Sequence, residues 1–392
     1  MITGFTQNFL WGAALSAYQA EGNNVNSDWW EWEKGAGKEK SGMASRHYEF
    51  YEEDFDLAKS LNHNAHRLSI EWSRIEPEEG KFIDKEIDHY IKVILALRAR
   101  NIEPLVTLHH FTNPFWFSEA GGWLNKRSVS YFSRYCDLVI RALSKYVRYW
   151  ITINEPTIYI AHAYVFGAWP PEVKSYLKAR IVENNLFLAH VKAYRLIHDI
   201  YKGLNLPEPS VSISQYTQAY TPSSDGLKCR FIAYLADKRF NFGFLDKMMR
   251  YSAMDFVGIN YYTRQKIGKD NSHPVRKNSL GWDIYPEGLY ELLLKTGKYG
   301  LPVIITENGI CTADDNLRWE YIQDHLRSVQ LAMQRGINIT GYLYWSLIDN
   351  FEWDKGFAPR FGLIDIDYNT YKRTVRESAV KFAHVCKTDF EG

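Results

Sequence analysis

The sequence predicts an α/β protein, a single-domain (β/α)8 TIM barrel over residues 1–392. Three observations predict it. Eight short apolar runs recur along the chain, too short for buried helices. Their ends lie 38 to 61 residues apart, enough for a crossover helix and its loops. Polar residues follow the C-terminal end of all eight runs, where a parallel barrel builds its working face.

The runs end near Ala17 (WGAALSA), Ile70 (AHRLSI), Leu108 (EPLVTL), Asn154 (YWITIN), Gln215 (SVSISQ), Asn260 (DFVGIN), Thr306 (PVIIT) and Trp345 (GYLYW). Between the second and third, Ile87, Ile91 and Ile94 fall on one helical face. Pro286-Glu287 opens a helix toward Tyr299 that Gly300 ends, and Arg318 to Arg335 reads as a helix stopped by Gly336. Strands joined by such crossovers close in a right-handed sense. No low-complexity linker or charge block divides the chain.

Composition narrows the function. The hydrophobic fraction is 46% and the charged fraction 24%, ordinary for a globular protein. A net charge of +1 gives no support for nucleic-acid or anionic-membrane binding. The aromatic fraction is 16%, with 13 Trp and 27 Tyr, an excess that suits stacking on sugar faces. Four cysteines without a C-x-x-C spacing exclude a disulfide scaffold and a zinc ribbon. Phe9 to Ala20 imitates a signal h-region, but no Lys or Arg precedes Lys34, so it reads as a buried first strand. No apolar run reaches the ~18 residues of a membrane span. A reduced cytoplasmic protein is the expectation. His63 with His66, and His109 with His110, have metal-like spacing, but no H-E-x-x-H or Cys/His cluster joins them. No metal or cofactor is expected. Whether the chain forms a homo-oligomer is not readable.

The strand-end residues carry the chemistry. In order they are Gln19 and Glu21; Glu71 and Trp72, with Arg67 inside the second strand; His109 and His110; Asn154 and Glu155; Gln215 and Tyr216; Asn260, Tyr261 and Tyr262; Glu307 and Asn308; then Trp345, Asp349, Glu352 and Trp353. Glu155 and Glu307 end strands that face each other roughly across the barrel. Two carboxylates on opposite walls suit glycoside hydrolysis, one protonating the leaving oxygen and the other attacking or activating water.

At these residues the chain resembles the family 1 glycoside hydrolases, the retaining β-glucosidase family. The resemblance rests on Gln19-Ala20-Glu21-Gly22, Arg67 to Arg74 (RLSIEWSR), Thr152 to Pro156 (TINEP), Asn260 to Thr263 (NYYT), Ile305 to Gly309 (ITENG) and Trp345 to Trp353 (WSLIDNFEW). It runs from Phe9 to about Arg376. It implies Glu307 as nucleophile and Glu155 as acid/base, with Arg67 and Tyr262 supporting Glu307. It implies that Gln19, His110, Asn154, Trp345, Glu352 and Trp353 bind the sugar, with Asn260 in support. The substrates it implies are β-glycosides and oligosaccharides with a terminal β-D-glucosyl, and by extension β-D-galactosyl or fucosyl, residue. Transfer to a sugar acceptor shares the same intermediate.

Some features depart from the family or stay ambiguous. Phe111 follows His110 where many members carry Trp, as in some archaeal members. The segments between Leu245 and Asp255 and after Thr263 are short, which predicts a wide entrance tolerant of large or alkyl aglycones. Trp29, Trp30 and Trp32 fit subsite walls or loop packing equally. His109 reads as a core histidine and Cys311 as a buried thiol. Two rival functions remain. A 6-phospho-β-glycosidase would replace Glu352-Trp353, both retained here. A catalytically silent sugar-binding barrel would have lost one carboxylate.

Overall fold

The computed structural model describes residues 5, 8–224, 226–268 and 275–388. Eight strands close a barrel in sequence order: β1 Leu10–Ala14, β2 Ala65–Ser69, β3 Glu103–Thr107, β4 Tyr149–Asn154, β5 Ser210–Pro222, β6 Val257–Ile267, β7 Val303–Asn308 and β8 Ile339–Trp345. Every neighbouring pair is parallel, and β8 closes on β1 from Leu10↔Gly341 to Ala14↔Trp345. The eight predicted runs are the eight strands.

Three strand ends differ from expectation by three residues or more. β1 stops at Ala14 rather than Ala17. Past it, the Ala17 N–H donates to the Ser69 hydroxyl at 2.7 Å and a short helix, Ala17–Ala20, begins. That turn carries Gln19 inward. β5 and β6 overrun their predicted ends and stay paired from Ala219↔Arg264 to Pro222↔Ile267. This extension stands above the rim, where backbone pairing rather than an apolar run holds the ladder.

The helices follow the pattern. Asp84–Ala99 buries Ile94 and packs Ile87 and Ile91 against the core. Pro286 opens the helix Pro286–Thr296, and Gly300 ends the following turn at φ 65°. Asp315–Gln334 is capped by Asp314, which accepts from the Asn316 and Leu317 N–H groups. Such a cap is worth about 1 kcal/mol.

Packing is layered. Ala65, Leu105, Ile151, Phe256, Ile304 and Leu343 fill one apolar cluster. A larger cluster lies between strands and helices. A third, Ala14, Tyr262, Cys311, Trp345 and Phe361, includes the ends of β1 and β8. There β7 passes close to β8. A Cβ on Gly309 would lie 1.9 Å from the Trp345 carbonyl oxygen, so only glycine lets the end of β7 approach. Among the described residues no helix is long and apolar enough to cross a membrane.

Candidate active site

Glu155 leaves β4 with φ 43° and ψ 58°, the left-handed region, and Pro156 starts a helix directly after it. That conformation costs a non-glycine residue about 1–2 kcal/mol. Its effect is to turn the Glu155 side chain out of the ladder. Asn260 of β6 meets it there. The Thr306 hydroxyl donates to Asn260 Oδ1 at 2.6 Å, which orients the amide. Asn260 Nδ2 then donates to Glu155 Oε1 at 2.7 Å and to Asn154 Oδ1 at 3.2 Å.

Glu307 ends β7 in different company. Arg67, almost fully buried, reaches across the barrel interior from β2. Its Nε donates to Thr107 Oγ1 at 3.0 Å, its Nη2 to Asn154 Oδ1 at 2.6 Å, and its Nη1 to Glu307 Oε1. The Tyr262 hydroxyl donates to the other oxygen, Oε2, at 2.6 Å.

Burial pushes both carboxyls above their ordinary range. At Glu155 the Glu307 charge pushes further, well above the usual carboxylate value. At Glu307 the Arg67 charge and the Tyr262 hydrogen bond pull back. A proton shared by the pair therefore resides on Glu155.

Above this pair, Gln19 Nε2 donates to Glu352 Oε2 at 3.1 Å, and the Ser16 hydroxyl donates to Gln19 Oε1 at 2.7 Å. Burial, then the Glu307 charge, raises Glu352 to about 8. The His110 ring lies near-parallel to Trp345 and to Trp353, each centroid 6.0 Å away. Burial keeps His110 neutral. Arg67 occupies Asn154 Oδ1, so Asn154 Nδ2 donates to His110 Nε2 at 3.2 Å. The ring proton then sits on Nδ1, a buried atom without a partner among the described residues.

Gln19, His110, Asn154, Glu155, Tyr262, Glu307, Trp345, Glu352 and Trp353 line one cleft of about 230 Å³. Arg67 and Asn260 stand behind it and hold the wall. Tyr216 of β5 lines it too, while other strand-end residues turn away. Glu21 binds Arg74 and Tyr90, and Glu71 accepts from Ser73 and Thr112. Asp349 is buried between Arg360 and Arg376. His109 bonds Asn113 and packs edgewise on Trp123. Trp29 is buried against Trp353, and Trp32 bonds Glu172. None of Trp29, Trp30 and Trp32 lines the cleft. Burial raises the Cys311 thiol, which stays inert. Among the described residues no group of three or more His, Cys, Asp and Glu could hold a metal.

Sequence reasoning missed several lining residues: His162, Trp169, Trp282, Asp354, Lys355 and Phe361. They lie outside the barrel strands, so strand periodicity does not reach them. Trp169 has one local signal, the Trp169-Pro170-Pro171 cluster. Phe111, at φ 71°, wedges between Trp169 and Trp353 with centroids 5.1 and 5.2 Å away.

The sequence profile of glycosyl hydrolase family 1 matches residues 1–254 and 240–390. The chain belongs to that family. This family 1 glycoside hydrolase is 30% identical to a 1,4-beta-D-glucan glucohydrolase of Thermotoga neapolitana, over 98% of both chains. That alignment spans 437 positions against the 392 residues here, so the chain is the more compact of the two. A beta-glycosidase from Pyrococcus horikoshii superposes with a TM-score of 0.93 at 39% identity, over 99% of this chain and 96% of that one. A beta-glucosidase from Thermotoga maritima in complex with glucoimidazole superposes with a TM-score of 0.92 at 29% identity, over 99% of this chain and all of the other.

Proposed function

We propose that the chain is a retaining β-glycosidase that removes terminal non-reducing β-D-glucosyl residues, with β-D-galactosyl and fucosyl residues as secondary substrates. The observation that carries this reading is the unequal holding of two buried carboxyls in one cleft. Glu155 keeps a proton for the leaving oxygen, while Glu307 has a cation and a phenol to stabilise its anion.

Glu307 attacks the anomeric carbon as Glu155 protonates the glycosidic oxygen, and the aglycone leaves as an alcohol. The glycosyl ester on Glu307 carries no charge. One cause of the raised Glu155 value is then gone, and Glu155 takes a proton from the incoming water. That water attacks the anomeric carbon and frees Glu307. A sugar hydroxyl in place of water gives transglycosylation. Asn154 serves the 2-hydroxyl, where hydrogen bonds strengthen in the transition state. His110 reaches the 3-hydroxyl. Gln19 and Glu352 grip the far hydroxyls over Trp345, and Trp353 adds an indole N–H.

The 6-phospho-sugar reading draws on Lys355, a cation at the cleft. Its ammonium is engaged by Asp354 Oδ2 at 2.7 Å. Gln19 and Glu352 fill the far wall with a sugar-hydroxyl clamp. The test is turnover of aryl β-D-glucoside, β-D-galactoside and 6-phospho-β-D-glucoside by the same preparation. The expected order is glucoside, then galactoside, with negligible phospho-sugar turnover. Exclusive turnover of the phospho-sugar, or none of any glycoside by folded protein, overturns the proposal.

A further inference from the structure

The net charge of +1 averages over an uneven surface. Helix Leu227–Ala236, which follows β5, exposes Leu227, Phe231 and Tyr234 at 84%, 60% and 58%. The start of helix Tyr176–Gly203 exposes Tyr176, Leu177 and Ile181 at 77%, 81% and 50%. Single exposed apolar residues need no explanation, but two neighbouring helices of them do.

The helices meet at an open groove. Arg180 and Glu183 of one line it with Leu235 of the other, followed by Lys238 and Arg239. Lys247 and Arg250 of helix Gly243–Arg250 complete the lining with Asp246. Arg239 engages Glu183 through two bonds of 2.8 and 2.6 Å, and Lys298 engages Asp246 at 2.7 Å. Lys238, Lys247 and Arg250 have no carboxylate at ion-pair distance among the described residues. The Lys247 ammonium is held below its ordinary range by burial, then, against an opposing Glu183, by Arg180, Arg250 and Arg239.

The face is firmly mounted. Gln215 Nε2 donates to the Phe240 carbonyl at 2.8 Å, and Asn241 Nδ2 to the Gln218 carbonyl at 2.8 Å. Both anchors lie on β5, beside Tyr216 of the cleft.

We propose that this face docks on an anionic lipid bilayer. Tyr176, Leu177, Leu227, Phe231 and Tyr234 enter the boundary between headgroups and acyl chains. Lys238, Lys247 and Arg250 meet the lipid phosphates. Charge decides among occupants. A second copy across a two-fold axis would set the same cations against each other. A nucleic acid would match the cations and leave the leucine and aromatic side chains in water. An anionic bilayer satisfies both halves of the face.

Vesicle flotation with the full-length protein tests this, using phosphatidylcholine vesicles with and without phosphatidylglycerol. The expected result is about tenfold tighter binding to the anionic vesicles, weakening as salt rises. Leu227→Ser with Phe231→Ser and Tyr234→Ser abolishes binding to both. Lys238→Glu with Lys247→Glu and Arg250→Glu abolishes the preference for anionic lipid. Soluble aryl glycoside turnover stays unchanged in both variants, which reports an intact fold without using the lipid. Absent binding, or equal binding to the two vesicle types, overturns the proposal. So does sedimentation showing a dimer that the serine variant converts to monomer, which would make the face a protein interface.

Discussion

The two walls of the cleft bury the same functional group and treat it oppositely. On the β7 side, Glu307 has a guanidinium on one oxygen and a phenol on the other. On the β4 side, Glu155 has one amide hydrogen bond and no bonded cation among the described residues. Burial alone would push both carboxyls up together. The partners separate them, and separated acidities are what an acid and a nucleophile need. The lesson is that spacing along the strands places the two groups, while residues behind the wall assign their work.

Breaking the stronger wall should cost most. Arg67→Met removes the counter-ion of Glu307 and leaves a buried carboxyl unpaired. We expect kcat/KM to fall about 10³-fold, with a stability loss of about 3–5 kcal/mol. Steady-state kinetics beside thermal unfolding separates the two effects. A variant with near-normal kcat/KM would mean Arg67 is only a structural ion pair.

The two walls should also answer differently to pH. Activity requires Glu307 ionised and Glu155 protonated, so it falls on the acid side with Glu307 and on the alkaline side with Glu155. Tyr262→Phe removes a hydrogen bond that lowers Glu307, so the acid limb moves to higher pH. We expect a loss of about 100-fold at the optimum. Asn260→Ala removes the bond that lowers Glu155, so the alkaline limb moves up by more than the acid limb. Its expected loss is about 50-fold. If both variants shifted chiefly the same limb, the assignment of partners to walls would be wrong.

A buried group away from the cleft sharpens the contrast. Both ring nitrogens of His63 lack a partner among the described residues, and burial lowers its pKa to about 3. The folded state therefore binds fewer protons than the unfolded state below about pH 6.5. Stability is lost as pH falls from there toward 3. At pH 5 this penalty is about 2 kcal/mol. His63→Leu should remove it, flatten the acid limb of stability and leave kcat/KM unchanged. Denaturant unfolding at pH 5 and pH 7 measures it.

Much of this was legible from residues alone. All eight strands follow from short apolar runs, because a barrel strand is buried and bounded by polar rim residues. The strand ends were less visible. β5 and β6 overrun the rim because backbone pairing continues where hydrophobicity stops. β1 ends early because the bond to Ser69 is a tertiary contact. Ten predicted strand-end residues share the cleft, since strand ends converge there by topology. Trp169, Trp282 and Phe361 depend on how segments outside the barrel strands fold back, which no local period encodes. The exposed basic face was hidden by arithmetic, because a net charge sums over surfaces that face different ways.

Azide rescue tests the central division of labour most directly. With an activated aryl β-D-glucoside, Glu307→Gly should be nearly inactive, and azide should restore turnover with α-glucosyl azide as product. Glu155→Gly should instead yield β-glucosyl azide, because azide then attacks an intermediate still formed on Glu307. The α product from one variant and the β product from the other is the predicted result. The β product from Glu307→Gly, or no rescue of a folded Glu307→Gly protein, would contradict it.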